Sequence, residues 1–143
     1  MMDDQDSLID GVLTFTEETE NIRVSVQSYF LNDQSEPIEN RYIWAYRILI
    51  ENVGVVPVRL LTRHWTITDS NGSVQEVIGD GVIGEQPLMQ PGGDFIYTSG
   101  CPLKTASGFM QGSYEMEDDA GRLFKVAIPA FSLDSPFCSQ GIN

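Results

Sequence analysis

The sequence of 143 residues is long enough for one domain with its own core, because a domain near this size buries roughly 68–70% of the surface that its unfolded chain exposes. Eight Lys and Arg residues against 21 Asp and Glu residues give a formal net charge of −13. This charge repels polyanions, and no basic cluster offers phosphate contacts, so the composition argues against binding to nucleic acids or to anionic membranes.

No targeting signal is expected from the sequence. The N-terminal stretch MMDDQDSLID has neither a basic start nor an apolar run, so it does not resemble a signal peptide. No segment approaches the roughly 20 apolar residues of a membrane span. Cys101 and Cys138 are far apart and form no C-x-x-C motif. We therefore expect a cytoplasmic protein with free thiols.

Alternating apolar residues predict β-strands in the first half of the chain. Residues 22–30 alternate apolar and polar side chains, and residues 42–50 place aromatic and β-branched residues on one face, as a pleated and packed surface favours. Residues 58–69 predict a longer strand. Its apolar face switches near Leu60 and Leu61, which indicates a β-bulge.

Turn signals separate the strands of the second half. Asn71-Gly72 predicts a hairpin that returns through residues 74–78. Further strands are expected in residues 94–99, 108–117 and 122–133, the last two joined by an acidic turn. No segment has the periodicity and caps of a helix. The sequence thus predicts an all-β fold, an immunoglobulin-like or fibronectin type III-like antiparallel β-sandwich of seven to eight strands. The domain is expected at residues 21–136, between an N-terminal extension (1–20) and a C-terminal tail (137–143).

Three glycines, Gly79, Gly81 and Gly84, match the G-x-G-x-x-G spacing of dinucleotide-binding loops. A Rossmann site requires a helix to follow, and Pro87 and Pro91 oppose one. No Lys or Arg lies between His64 and Leu103. We therefore expect a tight loop that closes one end of the sandwich. Binding of a small anion, such as pyrophosphate or a nucleotide, by this loop stays as the alternative.

A long stretch of the chain resembles a known family. Residues 46–100, from YRILIENVG to FIYTSG, followed by GFMQGSYEM, GRLFKVAIPAFSL and Pro136, are similar to the bacterial ApaG family, also called CorD. The resemblance covers Ile22 to Pro136. It implies a fibronectin type III-like β-sandwich, a glycine loop with a suspected phosphate role, and an association with cobalt resistance and magnesium efflux. Related eukaryotic domains in F-box and polymerase-interacting proteins act as binding modules, and no enzyme activity comes with the family.

Catalytic and metal sites are not predicted, and neither is a cofactor. His64 is the only histidine, so a triad or a metal site would have to form around it. Cys101 is expected in a loop near Lys104, as a packed, inert thiol. A thiol pKa lowered by this setting is the alternative. Glu115, Glu117 and Asp119 alternate, but the chain lacks the Gly and Glu that a calcium loop needs. Weak divalent metal binding through surface carboxylates is the remaining possibility.

A surface for another protein is the function that remains. The connection from Gly79 to Gly93 is long for a hairpin, and its apolar residues Val82, Ile83, Leu88 and Met89 either tuck inside or contact a partner. A free sheet edge is a second candidate surface, for an outside strand or for a second copy of the chain. The aromatic residues are expected in the core: Trp44, Tyr46, Trp65, Tyr97 and Tyr114. The sequence therefore predicts a non-catalytic module that binds another protein.

Overall fold

A computed structural model describes residues 7–137 and shows nine β-strands and two short 3-10 helices in this part of the chain, with no α-helix. The strands are β1 (Phe15–Thr19), β2 (Ile22–Phe30), β3 (Tyr42–Asn52), β4 (Val58–Asp69), β5 (Val74–Asp80), β6 (Leu88–Met89), β7 (Asp94–Leu103), β8 (Ser107–Asp118) and β9 (Leu123–Asp134). The 3-10 helices are Asn32–Gln34 and Pro37–Glu39. Within residues 7–137 no helix is long and apolar enough to cross a membrane.

Two antiparallel sheets form the fold. The first has the strand order β1-β2-β3-β7, and the second has the order β5-β4-β8-β9. The two-residue strand β6 pairs with Val58 and Arg59 of β4, beside β5 on the same edge. The predicted antiparallel β-sandwich is confirmed, with β1 and β6 as strands that the sequence pattern did not show.

The core lies between the inner faces of the two sheets. Trp44, Tyr46 and Ile48 of β3 are buried, and the ring centroids of Tyr46 and Trp65 are 5.3 Å apart across the sandwich. All five aromatic residues predicted for the core are buried. Such alternation of buried residues along strands of both sheets is typical of a sandwich interior.

The predicted bulge in β4 is present and shapes the second sheet. The pairing of β4 with β8 shifts register between Leu60 and Thr62. On its other side β4 pairs with β5 over Thr62–Thr68 and with β6 at Val58 and Arg59. The glycine loop therefore leaves and rejoins one edge of the sheet. The expectation that it closes one end of the sandwich is wrong, because both of its flanking strands pair with the same edge of β4.

The N-terminal segment contributes to the domain. Strand β1 pairs with β2, and the side chain of Gln27 bonds to the backbone N–H and C=O of Ile9 and to the Thr14 hydroxyl. Nη1 of Arg47, which is buried, donates to the carbonyl of Ser7. Residues 7–14 thus lie against the outer face of the first sheet, and β1 forms its edge strand. Most β1 side chains are exposed, so the segment lacks the apolar alternation by which strands are recognised. The tail from Cys138 onward lies outside the described residues.

Candidate partner-binding edge

The glycine loop folds as a small hairpin of its own. The N–H of Val82 donates to the Glu85 carbonyl at 2.8 Å, and the N–H of Glu85 donates back to the Val82 carbonyl at 2.9 Å. The two residues between them, Ile83 and Gly84, have φ angles of 42° and 81°. Positive φ at both central positions defines a type I′ turn, for which glycine is favoured. Gly84 is therefore explained by the turn.

Gly81 meets two further requirements of the loop. Its φ angle is 63°, and a Cβ at this position would lie 2.3 Å from the backbone oxygen of Glu85. Its N–H donates to the carbonyl of Leu61, the bulge residue of β4, at 2.8 Å. The loop can close over the bulge only because this position has no side chain.

Two arginines of β4 hold the loop. Nη1 of Arg63 donates to the carbonyls of Asp80 and Gly81, both at 2.9 Å, and Nη1 of Arg59 donates to the carbonyl of Gln86 at 2.8 Å. The guanidinium of Arg63 also covers Gly79, its cross-strand partner. The sequence interval from 64 to 103 has no cation, but the neighbouring strand supplies two. Only the pairing register of β4 with β5 could have revealed them.

Several amide groups of the loop are already hydrogen-bonded within the chain. The N–H groups of Gly81, Val82 and Glu85 donate to carbonyls of the protein. A backbone nest binds an anion through successive N–H groups that point toward it. In this structure the loop directs these three donors inward, to the protein's own backbone.

The four apolar residues predicted for partner contact divide into two pairs. Val82 and Met89 are buried in the core. Ile83 and Leu88 are 55% and 49% exposed. The buried pair anchors the loop between β5 and β6 in the core. The exposed pair faces solvent along this edge of the second sheet.

Two further exposed apolar residues lie on the same edge. Val74 and Ile78 of β5 are 62% and 71% exposed. They share the outer face of the strand with Glu76, and Val77 points inward and packs against the core. The sequence pattern did not predict a surface at this pair, although the spacing of residues 74, 76 and 78 in a strand places them together. We call β5 together with Ile83 and Leu88 the β5 edge.

The other candidate residues do not form a reactive site. Nε2 of His64 lies 2.8 Å from Oε2 of Glu76 on the surface of the second sheet. Cys101 lies in β7 opposite Trp44, and burial raises the pKa of its thiol to about 11. The expected loop position of Cys101 is therefore wrong, as is the alternative of a lowered thiol pKa. In residues 7–137 no three His, Cys, Asp or Glu side chains are grouped to hold a metal ion.

The fold and this edge define a small two-sheet β-sandwich of the immunoglobulin-like or fibronectin type III-like kind with one exposed, partly apolar sheet edge. A model of the ApaG domain matches residues 32–118. A protein named ApaG from Sinorhizobium fredii is 56% identical over 125 residues, which are 87% of this chain and 96% of that protein. The ApaG protein of Paramagnetospirillum magneticum is 56% identical over 90% of this chain and 99% of its own length.

A solved structure agrees with these relatives. The crystal structure described as that of an ApaA protein from Bordetella pertussis is 43% identical and superposes with a TM-score of 0.78 over 85% of this chain and 96% of that chain. The chain belongs to the ApaG family. The names of these relatives carry no enzymatic activity.

Proposed function

We propose that this protein is a non-catalytic binding module of the cytoplasm that recognises another protein through the β5 edge. The observation that carries the proposal is a row of exposed apolar side chains along one edge of the second sheet: Val74 and Ile78 of β5, Ile83 of the loop and Leu88 of β6. Natural sheets usually protect such edges with charged residues, prolines or bulges. An edge that keeps apolar side chains in solvent is the kind of surface that a partner covers.

The states of the histidine and of the Cys101 thiol support the non-catalytic part of the proposal. The single histidine is paired with Glu76, and the described thiol of Cys101 is buried with a raised pKa. Nucleophilic catalysis needs an accessible, activated nucleophile next to a base. Any role in cobalt resistance or magnesium efflux, which the family resemblance implied, would then act through the bound partner.

Binding of a small anion at the glycine loop is the second candidate. Arg63 supports it, because its guanidinium lies against Gly79. Titration of labelled protein with pyrophosphate tests it through the amide signals of Gly79, Gly81 and Gly84. Saturable shifts confined to this loop would make anion binding the main function, and unchanged signals would remove it.

Site-specific cross-linking in cells tests the protein-binding proposal. A photoreactive amino acid replaces Ile78 in one variant and Leu123 in the other. Leu123 is 53% exposed in β9, at the opposite edge of the second sheet. We expect a discrete adduct from position 78 that mass spectrometry identifies as one protein and that purified components reproduce. Equal adducts from both positions would reject the β5 edge as the binding surface.

A further inference from the structure

We infer that the partner presents an extended segment that adds to the free edge of β5 as a new strand, with apolar side chains facing the protein and Lys or Arg side chains facing outward. This inference rests on the proposed function and specifies the chemistry of the partner. Addition of a strand to a sheet edge takes its affinity from main-chain hydrogen bonds and its specificity from alternate side chains.

The backbone of β5 has the polarity that strand addition requires. The N–H of Asp69 donates to the Ser73 carbonyl, and the N–H of Gly81 donates to the Leu61 carbonyl. In an antiparallel pair, residues that exchange such bonds alternate with residues that do not. The backbone N–H and C=O groups of the odd-numbered residues of β5 therefore point toward β4. The N–H and C=O groups of Val74, Glu76 and Ile78 point away from the sheet, toward an added strand.

A groove beside β5 receives the inward side chains of such a strand. It has a volume of about 570 Å³ and lies between the hairpin end of β5 and the last residues of β7. Its lining combines the apolar residues Ile67, Val74, Pro102 and Leu103 with the charged residues Glu39, Arg41, Asp69 and Lys104. Ile67 is the cross-strand neighbour of Gln75, so the groove lies on the inner side of β5. An inward residue of an added strand beside Gln75 would project into it, where Ile67 and Leu103 offer apolar contact.

The outward side chains of an added strand lie beside Val74 and Ile78 as well as the carboxylates of Glu76 and Asp80. Lys and Arg suit this face because their aliphatic stems cover apolar groups while their charged ends reach the carboxylates. Glu76, Asp80 and Glu85 are exposed along the β5 edge. The nearby arginines, Arg59 and Arg63, are bound to loop carbonyls, and His64 pairs with Glu76. The chain as a whole carries a formal charge of −13. A second copy would bring the same charge to the interface, so complementarity favours a cationic segment over self-association.

Peptide titration followed by NMR tests the inference. The probe is a synthetic nine-residue peptide in which Ile or Val alternates with Lys, and its counterpart carries Glu in place of Lys. We expect the Lys peptide to shift the amide signals of Val74, Glu76 and Ile78 saturably and to slow their hydrogen exchange. The Glu peptide should bind at least tenfold more weakly. The difference should shrink at high salt, which screens charges at the surface.

Two substitutions at one position separate charge from backbone pairing. Glu76→Gln removes the charge alone and should weaken the Lys peptide about two- to fivefold, the range of an exposed ion pair. Glu76→Pro also removes an outward N–H that β4 does not use, so the domain should still fold and binding should be lost. Equal binding by both variants would overturn strand addition.

Further outcomes have distinct meanings. Equal affinity for the Lys and Glu peptides would overturn the cationic chemistry. If sedimentation reveals dimers that Glu76→Pro disperses, the strand that adds to β5 would come from a second copy of the chain and not from a partner segment. Binding of neither peptide, with cross-linking at position 78 intact, would reject the extended segment and leave the proposed function in place. Failure of both experiments would reject the proposed function itself.

Discussion

The guanidinium of Arg63 lies flat against Gly79. A Cβ placed on Gly79 would be 2.9 Å from Nη1 of Arg63 and 3.0 Å from both Cζ and Nη2. The three glycines of the G-x-G-x-x-G spacing therefore serve three different purposes: one admits an arginine, one closes over a bulge and one completes a turn. A spacing that is typical of nucleotide-binding loops is explained here by the packing of a sheet edge.

The glycine positions should differ in their tolerance of alanine. Gly84→Ala should cost about 1–2 kcal/mol of unfolding free energy, because its positive φ is unfavourable for a residue with a Cβ. Gly81→Ala should cost about 2–5 kcal/mol, because overpacking against the Glu85 backbone adds about 1–3 kcal/mol to the same φ penalty. Urea denaturation measures both. An equal cost at the two positions would contradict the close approach at Gly81.

The buried tyrosine pair gives a prediction that uses a double-mutant cycle. The hydroxyl oxygens of Tyr97 and Tyr114 are 2.6 Å apart in the core, and burial raises the pKa of both. Either single substitution by Phe leaves one buried hydroxyl without this partner and should cost about 1–3 kcal/mol. The double substitution should cost clearly less than the sum of the two. Additive costs would show that the hydroxyls are not coupled.

Cys101 should resist alkylation and should make stability depend on alkaline pH. Burial raises the pKa of its thiol from 9.0 to about 11. The folded state therefore disfavours the thiolate. The contribution of the neutral Cys101 thiol to the free energy of unfolding is complete below pH 9 and is lost as the pH rises toward 11. The stability difference between Cys101→Ala and the parent chain, both in a Cys138→Ser background, should change across this interval. A constant difference from pH 8 to pH 11 would refute the raised pKa.

Removal of residues 1–20 should destabilise the domain. The truncation deletes β1 and the Ile9 and Thr14 groups that bond to Gln27. A net value of about 0.5–1.5 kcal/mol for each hydrogen bond predicts a loss above about 2 kcal/mol. Thermal and urea unfolding of the chain that begins at Asn21 measure it. An unchanged stability would support the boundary at residue 21 that the sequence predicts.

Trp65 should be a principal contributor to stability. It is buried and its ring contacts those of Tyr46 and Phe131, so Trp65→Ala should cost about 3–5 kcal/mol. Val55→Ala is the matched control, and its cost should stay within about 0.5 kcal/mol because the side chain is exposed. Denaturation midpoints of the two variants provide the comparison. Similar midpoints would place Trp65 outside the core.

The sequence by itself determined the strands whose two faces differ in polarity. Local patterns predicted four elements: the strands at residues 22–30 and 42–50, the Asn71-Gly72 hairpin and the bulge at Leu60. They could do so because the spacing of apolar residues reflects burial and the turn residues reflect turn geometry. The aromatic core could be predicted for the same reason. Strand β1 could not, since its side chains are mostly exposed.

Only the tertiary structure decided what surrounds the glycine loop and which strands lie at the sheet edges. Arg63 reaches Gly79 because β4 and β5 pair in one particular register, and Val82 enters the core because the loop faces the bulge. Pairing across strands brings together residues that are far apart in the chain, so no spacing within a single strand records it. The exposed row on β5 follows likewise from its place at the end of the strand order, which the long-range packing of two sheets sets.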